Sequence, residues 1–159
     1  MKRKASSTRP LPTRLPGPAE SPGFLLWKVS NAWQRRQRAA LAPLDLTHSQ
    51  FVVLATATWF GATEALTQAR LAVLCGMDPM TTSQVVRALE SAGLLERGDH
   101  PEDTRANAIS ATKAGAAKAR RAVVAVEDAD AAFFAPIAGR SKELLELFRA
   151  LDGERRGDA

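Results

Sequence analysis

Residues 66–112 constrain this chain more than any other stretch; they read LTQARLAVLCGMDPMTTSQVVRALESAGLLERGDHPEDTRANAISAT. Thr67 has the side chain to cap a helix, and Leu66 stands where a hydrophobic staple onto Leu71 requires it. Gly76 supplies the left-handed exit from that helix. Only two residues later, Asp78-Pro79 pairs a capping carboxylate with a proline at the first helical position. Gly93 closes this second helix. Residues 94–97 then suit a short strand, and 98–105 form a charged loop punctuated by Gly98 and Pro101. Residues 107–111 return as a second strand with Ile109 as its apolar residue. Helix, tight turn, helix, strand, loop, strand is the element order of a winged helix-turn-helix.

The second helix sorts by its period. Thr82, Val85, Val86, Leu89 and Ala92 fall on one face, which must pack inward. Met80, Thr81, Ser83, Gln84, Arg87, Ala88 and Ser91 fall elsewhere, mostly outward. Small residues at a helix start permit close approach to a polyanion, and hydroxyls and free amides contact phosphates. In a major groove, glutamine pairs with adenine and arginine with guanine or phosphate. An amphipathic helix with a solvated polar face explains any one of these residues, but not the whole helix-turn-helix-hairpin order. On the hairpin, Arg105 is placed to enter a minor groove, and Asp103 two residues earlier can pair with it and set its direction. The alternative for that pair is a surface ion pair of small energetic value. Arg97 and His100 are further candidates for backbone contacts.

The rest of the chain is helical. Ser21-Pro22 opens a first helix to about Leu41, ended by Pro43. Leu46-Thr47-His48-Ser49-Gln50-Phe51 carries a capping box and a staple, and the helix it opens, to about Phe60, is almost wholly apolar and expected to be buried on most sides. Thr112 caps a fifth helix to about Ala135, and Ser141 is expected to cap a sixth. The fold class is mainly α with a small β-hairpin wing.

Residues 1–21 read as a disordered basic tail, and 22–159 as a single domain. The net charge is +5, but Lys2, Arg3, Lys4, Arg9 and Arg14 against Glu20 place +4 of it in the tail. The charge therefore says little about the domain; the tail is either solvated or an arm for phosphates. No apolar run spans a membrane and no signal-peptide core is present, so the expected compartment is the cytoplasm. The lone Cys75 excludes an internal disulfide framework, and it reads as a buried inert thiol. His48 and His100 lack metal-ligand spacing, no nucleophile–base set or phosphate loop occurs, and neither an enzyme nor a cofactor is expected.

With these residues read, DPMTTSQVVRALESAGLLER followed by HPEDTRANAISATKAG resembles the MarR (multiple-antibiotic-resistance regulator) family. The most specific part is the hairpin: the Pro101 to Arg105 run, then Ile109, Thr112 and Gly115. Ala111 stands where the family usually has leucine. The resemblance covers about residues 24–151. It implies a lobe of about 46–112 that reads a near-palindromic double-stranded DNA operator, and dimerisation helices of about 22–42 and 113–152. It also implies a homodimer with Phe24, Phe133, Phe134, Ile137, Leu144, Leu147, Phe148 and Leu151 in its interface. Family members are usually repressors, often released by a small aromatic or anionic molecule. By position, Trp27, Trp33, Arg36, His48, Phe51 and Trp59 are the candidates for such a pocket, aromatic walls with one cation; plain core is the competing reading of the tryptophans. The family's peroxide sensors carry a cysteine near the start of the first helix, where this chain has none. The remaining alternative is a winged helix used for protein binding or for non-specific DNA packaging.

Overall fold

The helices begin where side chains can accept from free backbone amides. In the computed structural model, which describes residues 11–99 and 107–153, Ser21 accepts from Phe24 N at 3.3 Å and starts α1 (Pro22–Leu41). Thr47 accepts from Gln50 N at 3.2 Å, while Gln50 Oε1 accepts from Thr47 N at 2.9 Å; this capping box starts α2 (His48–Phe60). Thr67 and Asp78 cap α3 (Gln68–Cys75) and α4 (Pro79–Ser91). Strands β1 (Leu95–Asp99) and β2 (Asn107–Ala111) follow, then α5 (Lys113–Phe134), capped by Thr112. Each cap is worth about 1 kcal/mol.

Both helices of the central pair end in the same way. Gly76 has φ 60°, its N–H donates to Val73 O, and Met77 N donates to Ala72 O. Gly93 has φ 67°, its N–H donates to Glu90 O, and Leu94 N donates to Leu89 O. These are Schellman closures, which need a residue tolerant of positive φ. The second closure uses Leu94, so β1 starts at Leu95, one residue later than the sequence suggests. The hairpin is antiparallel with Leu95 opposite Ala111 and Asp99 opposite Asn107. Ile109 N also donates to Leu66 O at 2.7 Å, which ties the wing to the start of α3.

The core joins α1, α2, α3, α4, the wing base and α5 through residues including Leu41, Leu54, Leu66, Leu71, Leu89 and Ile109. Truncating one such leucine to alanine costs about 2–5 kcal/mol.

Several sequence expectations change. Pro18–Glu20 forms a 3-10 turn where a disordered tail was expected; residues 1–10 of that tail lie outside the described residues. Helix α2 is buried or half-buried along most of its length, as its apolar sequence predicts; Trp59, 77% exposed, is the exception among its large apolar residues. Ala92 is exposed because α4 stops at Ser91 and the chain turns out toward Gly93. Ser141 is not a cap: its backbone is helical (φ −58°, ψ −36°) and its hydroxyl donates to Ala138 O. A 3-10 stretch, Ala135–Arg140, leads directly into α6 (Ser141–Gly153).

Candidate nucleic-acid interface

Helix α4 divides as its period demands. Thr82, Val86 and Leu89 are buried, and Val85 is half-buried. Thr82 is fully enclosed because its hydroxyl donates to Asp78 O at 2.8 Å, so it takes its acceptor from its own helix. Met80, Gln84, Arg87 and Ala88 are exposed, and Thr81 and Ser83 are half-buried. The Asp78 carboxylate accepts from Thr81 at 2.8 Å, and these bonds from Thr81 hold its carboxyl below the usual aspartate range. The outward face thus presents an amide, a guanidinium, small side chains and one thioether on a helix whose first turn is locked.

Arg87 has no ion-pair or hydrogen-bond partner among the described residues. Arg97, which the sequence offers as a backbone contact, is held by the protein itself. Its Nε lies 2.6 Å from Glu90 Oε1 and its second guanidinium nitrogen 3.4 Å from Gln68. Arg97 therefore ties β1 to α4 and α3. His100, Asp103 and Arg105 lie outside the described residues.

The six pocket candidates do not form one site. Trp33 meets His48 edge-on at 4.9 Å between ring centroids, and His48 lies 6.1 Å from Phe51. Trp27 is 64% exposed and stacks on Phe24. Trp59 is solvent-facing on α2. Arg36 sits over the Phe133 ring at 5.6 Å. An open-sided cavity of about 530 Å³ lies between α1, α5 and α6, and of the six candidates only Trp33 lines it. Four residues expected at a dimer interface, Phe133, Phe134, Leu144 and Phe148, line it as well. Its one charged lining residue is Asp130.

Asp130 was not singled out from the sequence. Its Oδ1 accepts from Trp33 Nε1 at 2.7 Å and from Gln37 Nε2 at 2.6 Å. Gln37 is fully buried, and its Oε1 has no partner among the described residues. A signal existed: Trp33, Gln37 and Leu41 recur every four residues, and Asp130 continues the buried series Ala119, Ala122, Val126. Both interrupt apolar stripes with a polar group. Burial pushes the His48 pKa below the ordinary value of 6.5, and the nearby Asp130 charge opposes that shift. Cys75 is half-buried, and burial raises its thiol pKa, which leaves little thiolate.

The MarR family pattern matches residues 46–106. The HTH-type transcriptional regulator YdcH of Bacillus subtilis is 44% identical over 124 residues, covering 77% of this chain and 84% of YdcH. The HTH-type transcriptional repressor Rv2887 of Mycobacterium tuberculosis is 31% identical over 83% of this chain and 94% of its own length. Crystal structures of Rv2887 with salicylic acid and with DNA match at a TM-score of 0.64 each; they cover 82% of this chain and, respectively, 96% and 97% of Rv2887, at 31% and 30% identity. CouR of Rhodococcus jostii bound to p-coumaroyl-CoA matches at a TM-score of 0.74 and 27% identity, over 86% of this chain and 92% of CouR. With the capped helix pair, the wing and these relatives in view, the chain belongs to the MarR family of winged helix-turn-helix DNA-binding transcription regulators.

Proposed function

We propose that this chain is a homodimeric, sequence-specific repressor whose hold on DNA is released by a small molecule. The observation that carries the reading is α4: its first turn is capped, its inward face is buried, and Gln84, Arg87 and Met80 are left outward. Met80, Thr81, Ser83, Gln84, Arg87 and Ala88 would face the major groove, with Arg105 and Asp103 at the wing. Arg97 would act by holding the wing base rather than as a primary contact. Lobe 46–112 is the reader, and 22–42 with 113–152 the dimerisation arm.

Exposed apolar residues on that arm support a second copy. Phe24, Leu25, Leu26 and Trp27 on α1, and Leu147, Phe148 and Leu151 on α6, are 42–64% exposed in one protomer. Exposed apolar residues gathered on two helices point to an interaction surface. Two lobes related by a twofold axis would meet half-sites about 34 Å apart. That relatives bind salicylic acid or p-coumaroyl-CoA supports small-molecule release. No described helix is long and apolar enough to cross a membrane, in keeping with action in the cytoplasm.

The test is a fluorescence-anisotropy titration with the DNA upstream of the protein's own gene against a scrambled duplex. Preference for the native duplex is expected. Equal affinity would favour a non-specific DNA-binding or protein-interaction module and overturn the repressor reading. Arg105→Ala should weaken binding while leaving the dimer intact by light scattering; dissociation to monomers would contradict its role at the DNA.

A further inference from the structure

We infer that the exposed face of α5 pairs with the same face of a second copy, antiparallel, with the twofold axis passing at Val124. This rests on the homodimer reading above and names its axis and its charged contacts.

Helix α5 buries Gly115, Ala119, Ala122 and Val126 on one side. The opposite side is an exposed stripe at helical spacing: Ala117, Arg120, Arg121, Val124, Glu127, Asp128 and Ala131. Val124 is the one large apolar side chain of α5 that is exposed, and it stands at the middle of Lys113–Phe134. The stripe is ordered about it. Arg121 and Arg120 stand three and four residues before Val124, and Glu127 and Asp128 stand three and four residues after it. Seven residues away on either side stands an alanine.

Nothing within the chain uses these charges. None of the four has an ion-pair partner among the described residues. The arginines lie six to eight residues from the acids, beyond the spacing of three or four at which charges pair along a helix. The positions at that spacing after each arginine hold Val123, Val124 and Ala125 instead.

A twofold contact sets one patch against its own copy, so the patch must be complementary to itself. Turned antiparallel about Val124, Arg120 meets Asp128 of the second copy and Arg121 meets Glu127 of the second copy. Val124 then meets Val124, and Ala117 meets Ala131, small side chains that let the two helices approach closely. A parallel pairing would set arginine against arginine and acid against acid. The charge order therefore selects the antiparallel sense. At its C-terminal end α5 reaches Phe133 and Phe134, which the homodimer reading already places in the interface.

The experiment uses two full-length charge variants with different tags: Arg120→Glu with Arg121→Glu, and Glu127→Arg with Asp128→Arg. Each alone carries four like charges on the stripe and should self-associate at least about tenfold more weakly than the native chain in sedimentation velocity. Mixed, the two faces are complementary again, and the doubly tagged heterodimer should form in preference to either homodimer. In a Cys75→Ser background, Val124→Cys should give a disulfide-linked dimer under mild oxidation. Ala117→Cys should not, because its two copies would lie roughly 20 Å apart, far beyond the reach of a disulfide. Mixing that brings no gain over the separate variants, or cross-linking of Ala117→Cys as ready as that of Val124→Cys, overturns the inference. A native chain that is dimeric in that case keeps the homodimer reading and loses only this axis. A native chain that sediments as a monomer overturns both.

Discussion

Replacing Gly115 by alanine puts a methyl group where no space exists. A Cβ there would lie 1.9 Å from Leu94 O, 2.8 Å from Leu94 C and 3.1 Å from Leu94 Cα. These are backbone atoms and cannot rotate aside. To reach even a tight contact, α5 and the wing base must separate by about 1 Å, an overpacking whose usual cost is about 1–3 kcal/mol. The same movement strains the bonds that join the two: Thr112 N to Leu94 O at 3.1 Å and Thr112 Oγ1 to Gly93 O at 2.8 Å. Each is worth about 1 kcal/mol. Alanine's better helix propensity returns about 1 kcal/mol. The balance is a loss of about 2–4 kcal/mol, or roughly 5–15 °C in Tm for a chain of this size. Circular dichroism melts at one fixed protein concentration measure it. Ala114→Gly, at an exposed neighbouring position, serves as control and should cost no more than about 1 kcal/mol. A Gly115→Ala protein that melts at or above the native temperature would refute the reasoning, because propensity would then outweigh the clash.

Thr47→Ala should cost about 1 kcal/mol in urea unfolding, since it removes the acceptor of the α2 capping box; no change would mean Gln50 alone suffices. Arg87→Ala should lower DNA affinity and reduce the salt slope by about one, whereas Arg97→Ala should change affinity less, because Arg97 is committed to Glu90; the reverse order would move the reading surface onto the wing base. His48 carries a folded-state pKa lowered from 6.5 by burial, so the unfolded chain binds its proton first as pH falls. Stability should therefore decline as pH is lowered through 6.5, and the decline should shrink in His48→Gln; an unchanged pH profile in that variant would assign the effect elsewhere.

What could be read from the sequence was what is local. Caps at Ser21, Thr47, Thr67, Asp78 and Thr112 reach only three residues along the chain, and all five are in place. The face of α4, including the inward Thr82, follows from a period of 3.6 residues. The exposure of Trp59 was not legible, because an apolar helix does not record which of its faces lacks a neighbour. Nor was the Trp33–Gln37–Asp130 cluster, whose bonds span 97 and 93 positions. Of the six pocket candidates, Trp33, His48 and Phe51 come together, whereas Trp27 and Trp59 are exposed in one protomer, which their place along the helices did not record. Arg36 lies over the Phe133 ring, a contact 97 positions away that its place on α1 does not record.

Two fully buried polar side chains stand out among the described residues, and they differ in how they are satisfied. Thr82 gives its hydroxyl proton to Asp78 O, so a polar residue under the reading helix costs the fold little. Gln37 donates to Asp130 but leaves Oε1 without a partner, an arrangement whose usual penalty is about 1–3 kcal/mol. Stability alone would favour leucine at position 37, where the neighbouring turns of α1 bury Leu41 and half-bury Trp33. What glutamine adds is a second donor to one oxygen of Asp130. With Trp33 and Gln37 both on Oδ1, that oxygen is fixed at the cavity wall, and Oδ2 accepts nothing from the described residues. The penalty carried by Gln37 thus falls beside the one charged group of the cavity lining, away from the outward face of α4 that we propose meets DNA.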